Sequence, residues 1–179
     1  MSGHSHWKQI RHKKTSADEK RGQLFSKLLN SISIAARGEP NPEFNPHLRA
    51  AIDKAKQNNV PQENIERAVK RAADASQNLE ELVIGAYGPG GAAIKIEAVS
   101  DNKNRTIAEI KSILNEAGGK WAESGSTDWA FEKTAEGWRP KFEQEINEED
   151  KRKLWNLIQA LEEHNDVQKV YTNAKVISN

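Results

Sequence analysis

The chain has 179 residues, of which 30% are charged and 36% hydrophobic, and this is typical of a soluble globular protein with a modest core. Its length allows one large domain or two small ones. No run of 18 apolar residues predicts a membrane span, and we expect no secretory signal. There are no cysteines, which excludes disulfides and thiol chemistry and indicates a cytoplasmic protein.

The net charge of +1 conceals an asymmetry between the two halves of the chain. Residues 1–78 hold 14 Lys/Arg and 8 Asp/Glu, a net charge of +6, whereas residues 79–179 hold 13 and 18, a net charge of −5. Such a split predicts one surface that meets a polyanion.

Residues 1–14 show no hydrophobic period and predict a basic arm that is flexible when free. Its cations precede the first acid, Asp18, and would gain affinity for phosphates by releasing counterions. Trp7 could stack on an unpaired base. The alternative is a solubilising tail. The residues of the predicted contact are His4, His6, Trp7, Lys8, Arg11, His12, Lys13 and Lys14, continued by Lys20, Arg21 and Lys27.

Helical periodicity follows the arm and predicts a three-helix domain over residues 15–78. The first helix is expected to begin at Ser16, which has capping-box spacing to Glu19. Asn45-Pro46 predicts the start of the second helix and Pro61 that of the third. Cations on these two helices could extend the nucleic-acid contact, or could form an ordinary solvated face. They are Arg49, Lys56, Arg67, Lys70 and Arg71.

Residues 79–179 predict a ferredoxin-like α/β sandwich, so the fold class is α+β. We expect an added edge strand at Glu81–Gly85, a hairpin turn at Gly88–Gly91 and a helix capped by Thr106. The other predicted elements are strands at Ala92–Val99, Thr127–Phe131, Trp138–Ile146 and Val167–Tyr171, and a helix capped by Asn147 with Asp150.

A second anion contact is predicted at Asn102, Asn104 and Arg105, because they precede a helix N-terminus with free backbone N–H groups. Helix capping and loop formation explain the same residues without a ligand.

No catalytic motif, cofactor site or metal site is predicted. Glu123, Ser124, Ser126 and Asp128 are close in sequence but have no histidine near them. His4, His6 and His12 suggest a Cu(II) or Ni(II) site. The N-terminal segment that carries them is expected to offer no enforced ligand geometry, so we do not interpret them as a metal centre.

Long segments of the chain resemble the YebC/PmpR family, which includes mitochondrial translational activators of cytochrome c oxidase. The segments are MSGHSHWKQIRHKK, KRGQLFSKLLNSISIAAR, NPHLRAAIDKAKQNNVPQENIERAVKR, YGPGGAAIKIEAVSDNKNRT, AGGKWAESGSTDWAFEK and LEEHNDVQKVYTNA. Typical members carry a further domain after the strand that matches Trp129–Lys133. Here Thr134–Gly137 leads directly to the next strand, so this chain is expected to be a short member.

The resemblance implies a non-enzymatic regulator of gene expression. Some members are described as transcriptional regulators that bind promoter DNA, and others act on the ribosome at difficult, proline-containing stretches. Promoter DNA and ribosomal RNA therefore both remain candidate partners. A third hypothesis is a protein-interaction module that acts through the acidic ferredoxin-like half.

Overall fold

The computed structural model describes residues 3–74 and 78–175, with side chains described from residue 17. The chain divides into two compact units, Met1–Gln77 and Asn78–Asn179. None of the helices in the described residues has the length and apolar character needed to cross a bilayer.

The first unit contains three helices, α1 (Gly3–Ala35), α2 (Pro46–Gln57) and α3 (Gln62–Arg71). The predicted start of α2 is confirmed, because the Asn45 side chain accepts a hydrogen bond from the backbone N–H of Leu48. Ser33 Oγ donates to the carbonyl oxygen of Ala68 at 2.8 Å and links α1 to α3. The core of the unit consists of Leu28, Ile32, Ala36, Leu48, Ala55, Val60, Ile65 and Ala68.

The predicted start of the first helix is wrong, because α1 begins at Gly3 and runs without a break through Ser16. The first proline of the chain is Pro40, and Gly22 is the one glycine between Gly3 and Gly38. Nothing in the covalent chain therefore interrupts the helix. Capping-box spacing was misleading because Ser and Glu are also tolerated inside a helix.

The second unit alternates strands with two long helices. In chain order it contains β1 (Glu80–Tyr87), β2 (Ala93–Ser100), α4 (Lys103–Glu116), β3 (Lys120–Trp121), β4 (Phe131–Thr134), β5 (Gly137–Pro140), α5 (Glu148–Glu162) and β6 (Val167–Thr172). Short 3-10 turns lie at Pro89–Gly91 and Asp128–Ala130.

Four strands form one antiparallel sheet in the order β3-β1-β2-β6, and β4 pairs with β5 in a separate two-stranded hairpin. Alternate residues of β1 and β2 pack against α4 and α5, which together form the main core. This core contains Leu82, Ile84, Ile94, Ile96, Ile110, Leu114, Leu154, Leu157 and Leu161.

The α+β class with N-terminal helices and an antiparallel sheet unit is confirmed, but several element positions differ from expectation. The strand expected at the sheet edge, Glu81–Gly85, forms part of β1 and pairs with β2, whereas β3 pairs with the outer side of β1 at Ala86 and Tyr87, beyond those residues. The expected strand Thr127–Phe131 is mostly a 3-10 turn, and Trp138–Ile146 is a strand only to Pro140. Helix α4 is capped by Asn102 rather than by Thr106.

Candidate nucleic-acid interface

The part of α1 that precedes the core is the candidate interface. Side chains of the helical unit pack into its core from Phe25 onward. From Gly3 to Phe25 the helix axis rises by about 33 Å at 1.5 Å per residue. Every residue from 17 to 22 is exposed, including Lys20 and Arg21, whereas Lys27 is half-buried. The described side chains just before the core, which include the cations Lys20 and Arg21, are therefore presented to solvent.

The predicted contacts on the first turns of α1 have helical backbone. They are His4, His6, Trp7, Lys8, Arg11, His12, Lys13 and Lys14, and their side chains lie outside the described part of the structure. The first turn contains no acidic residue that would oppose an anion at the positive end of the helix dipole. Asp18 and Glu19 are exposed further along and reduce the local charge beside Lys20 and Arg21.

The predicted cations of α2 and α3 lie in different surroundings. Arg49, Lys56 and Lys70 line one open groove of about 530 Å³ between α2, α3 and the loop before α2. Arg67 forms an ion pair with Glu63 one turn earlier in α3, and Arg71 is half-buried. The structure thus brings three of the five cations together.

The candidate second anion contact is engaged within the protein. Asn102 caps α4 and accepts a hydrogen bond from the backbone N–H of Arg105 at 3.1 Å. The Arg105 Nη2 atom lies 2.9 Å from Asp101 Oδ1 and 2.9 Å from Asp166 Oδ2. Asn104 is exposed in the first turn of the helix. Two carboxylates therefore neutralise the one guanidinium of this group.

Sequence reasoning missed a cluster of Glu109, His164 and Asp166, whose residues are up to 57 positions apart. His164 Nε2 lies 2.8 Å from Glu109 Oε2, and His164 Nδ1 accepts the backbone N–H of Asp166. Asp166 Oδ2 also accepts the Thr106 hydroxyl at 2.6 Å. These atoms resemble a ligand set, but hydrogen bonds already engage them, so the cluster joins α4 to the start of β6.

A second missed feature is Phe44, whose side chain is 73% exposed. It follows Glu43, which lines the groove of α2 and α3. A large apolar residue flanked by Pro42 and Pro46 is the only sequence signal for it, and that pattern is equally typical of a buried loop anchor.

Family models match nearly the whole chain. Residues 5–75 match the TACO1/YebC protein N-terminal domain, and residues 79–136 and 134–174 match the TACO1/YebC second and third domain. The chain belongs to the TACO1/YebC family. The second match divides at 134–136, the turn between β4 and β5, which is where the sequence predicts that longer members carry a further domain.

Similar proteins include three described as "probable transcriptional regulatory protein". The chain is 47% identical to that of Halothermothrix orenii over 90% of this chain and 63% of the relative. It is 46% identical to that of Aquifex aeolicus over 84% and 61%, and 53% identical to that of Dictyoglomus thermophilum over 74% and 54%. The chain thus spans 54–63% of the length of these curated relatives.

A solved structure shares the fold. It is the crystal structure of a conserved hypothetical protein from Aquifex aeolicus, with a TM-score of 0.83 and 32% sequence identity. The similarity covers 89% of this chain and 92% of that chain.

Proposed function

We propose that this protein is a non-enzymatic regulator of gene expression that binds duplex DNA through the cationic N-terminal half of α1. The observation that carries the proposal is the continuous helix from Gly3, in which cationic positions precede the first core residue by several turns. The relatives described as transcriptional regulators support it.

A single α-helix suits a duplex because its diameter with side chains, about 10–12 Å, matches the major groove of B-DNA, about 12 Å wide. Lysine and arginine on such a helix contact phosphates on both walls of the groove and supply affinity that depends on salt. Lys20 and Arg21 are exposed where the helix approaches the bundle and would extend these contacts.

Structured RNA, including ribosomal RNA, is the second candidate partner, and one sequence feature favours it. Trp7 lies among the cations of α1, and an aromatic ring next to positive charge is typical of proteins that stack on unpaired bases. A translation factor on the ribosome would use this chemistry.

The test compares binding of the full chain to a DNA duplex and to a folded RNA over a range of salt concentrations. Six phosphate contacts would give a slope of log affinity against log salt of about −5 on duplex DNA. Replacing Lys8, Arg11, Lys13 and Lys14 by alanine should flatten that slope by about 3.5. The matched control replaces four exposed cations of the second unit, Lys103, Lys120, Lys133 and Lys141, by alanine and should leave the slope unchanged.

Crosslinking in cells, followed by sequencing of the bound nucleic acid, then identifies the partner. Promoter DNA without ribosomal RNA supports the proposal. Ribosomal RNA without promoter DNA supports the translation role instead. Equal slopes for the intact chain and its four-alanine α1 variant would overturn the assignment of α1, and an intact chain that binds neither nucleic acid would favour a protein interaction through the acidic unit.

A further inference from the structure

The groove between α2, α3 and the preceding loop has the composition of a protein-binding site. Its lining combines charged side chains with five apolar residues, Pro40, Pro42, Ile52, Ile65 and Val69. Its volume of about 530 Å³ is enough for one or two large side chains, and it opens to solvent along its length. A recess that combines apolar side chains with a charged rim is typical of the surfaces by which proteins associate.

We propose that this groove receives Phe44 of a second copy of the chain, so that two helical units associate about a two-fold axis. Phe44 is the most exposed large hydrophobic residue among those described, at 73%, and directly follows a groove-lining residue, Glu43. An interface formed by the same patch on both subunits needs a protrusion and a complementary recess on one surface. Phe44 and the groove supply this pair.

The charges around the groove fit a partner with the same charges. Three acids and three bases line it, so the patch is neutral and two copies do not repel each other overall. A two-fold axis can place the acids of one copy opposite the bases of the other. The acids would repel a polyanion, and the bases would repel a strongly basic peptide. The charged residues are Glu43, Arg49, Asp53, Lys56, Glu66 and Lys70.

The loop that carries Phe44 is held in place before any association. Phe44 N–H donates to the Asn41 carbonyl at 3.1 Å, and Arg49 Nη1 donates to the Pro42 carbonyl at 3.2 Å. Asn45 Nδ2 donates to the carbonyls of Ala35 and Glu39 at 2.7 and 2.8 Å. Ordering the loop therefore costs little on binding, which favours association.

The expected dimer is weak. The surface that two phenylalanine rings and their recesses would bury is smaller than the roughly 1,200–2,000 Å² buried in stable specific interfaces. We therefore expect a reversible monomer–dimer equilibrium in the micromolar range rather than a permanent dimer. Such a dimer would carry two copies of the cationic half of α1.

Sedimentation equilibrium of the intact chain at rising concentration tests the proposal. We expect the average mass to rise toward twice 20.1 kDa for the natural chain, and Phe44→Ser to weaken association at least tenfold. Phe142→Ser makes the same chemical change at another exposed ring, in the second unit, and should leave the equilibrium unchanged. A monomer at every concentration would overturn the proposal, and so would a dimer that Phe142→Ser dissociates and Phe44→Ser does not.

Disulfide trapping identifies the contact, since the chain has no cysteine of its own. Asp53 is exposed and lines the groove, so Asp53→Cys offers a thiol there without disturbing the core. Mixing Phe44→Cys with Asp53→Cys under oxidation should give a covalent dimer of one chain of each kind, faster than either variant alone. Equal rates in the mixture and in the separate variants would contradict the proposed pairing. The result is independent of nucleic-acid binding, so it stands or fails separately from the proposed function.

Discussion

Lys95 Nζ lies 2.5 Å from Asp128 Oδ1 and 4.2 Å from the centre of the Trp138 ring. The lysine side chain is only 5% exposed, whereas that of Asp128 is 63% exposed. The ion pair and the ring together join β2 to the 3-10 turn before β4 and to β5. These contacts bury the Lys95 cation on the face of the sheet opposite the two helices.

Removing the exposed carboxylate of this pair should be more costly than removing the buried lysine charge. Asp128→Ala leaves a buried ammonium group with the ring alone, and we expect the free energy of unfolding to fall by about 1–3 kcal/mol. Lys95→Met keeps the volume and removes the charge, and should change it by less than about 1 kcal/mol. Urea titration followed by tryptophan fluorescence measures both, because four of the five tryptophans lie in this unit. A larger loss for Lys95→Met would contradict the expected order.

Tyr171 should make the second unit sensitive to alkaline pH. Burial, and next the negative charge of Glu97, raise the pKa of Tyr171 to about 12 from its usual 10.0. Its hydroxyl donates to Glu97 Oε2 at 3.2 Å. Because the folded pKa exceeds the unfolded one, the neutral phenol stabilises the fold fully below pH 10, and this stability is lost as the pH rises toward 12.

Absorbance of the phenolate during a pH titration checks this behaviour. The step near pH 12 should disappear in Tyr171→Phe and move to lower pH in Glu97→Gln, which keeps the size of the side chain but removes its charge. An absorbance step that stays near pH 12 in Glu97→Gln would show that burial alone raises the pKa of Tyr171.

Arg105 is expected to stabilise the fold rather than to bind an anion. Arg105→Ala leaves the buried Asp166 with the Thr106 hydroxyl but without its cation, and should lower the free energy of unfolding by about 1–2 kcal/mol. Lys103→Ala removes one exposed cation two positions earlier and serves as the charge-matched control. Filter binding at fixed salt should give the same nucleic-acid affinity for both variants. Weaker nucleic-acid binding by Arg105→Ala, with unchanged binding by Lys103→Ala, would contradict this prediction and support the second anion contact.

Local signals predicted the starts of α2 and α5 but not those of α1 and α4. Asn45-Pro46 and Asn147 with Asp150 begin α2 and α5 as expected, because a capping hydrogen bond spans only three residues. Strand pairing was harder to predict from local signals. The contact between β1 and β3 pairs Ala86 with Trp121, which lies 35 residues later in the chain.

Lys95 alternates with the core residues Ile94 and Ile96 along β2, and the burial of its side chain has a tertiary cause. The β4–β5 hairpin, which the sequence placed in the main sheet, instead covers the far face and buries Lys95. In the candidate interface, composition predicted the cations but also predicted a flexible arm. Helical continuity from Gly3 was missed, because charge and a lack of hydrophobic period are shared by arms and by exposed helices.

A single proline substitution, Ala17→Pro, tests whether the helical form of α1 matters for binding. Ala17 is exposed and precedes Phe25, the first core residue, by about two turns. Ala17→Pro removes a helical hydrogen bond and should separate the helix before it from the bundle, at a cost of about 3 kcal/mol to the helix. The bundle itself should remain folded, with the loss of ellipticity confined to the first part of α1.

If the helix positions its cations along a groove, duplex affinity should fall about tenfold in Ala17→Pro, because the contacts are no longer preorganised. Ala17→Gly also weakens the helix, by about 1 kcal/mol, but keeps the backbone N–H, and should retain most of the affinity. Since both substitutions leave every charge in place, counterion release alone would give equal binding for the two variants. Equal binding would therefore mean that residues before Ala17 act as a flexible cationic chain, whereas a selective loss in Ala17→Pro would assign the affinity to a helix held at a defined angle.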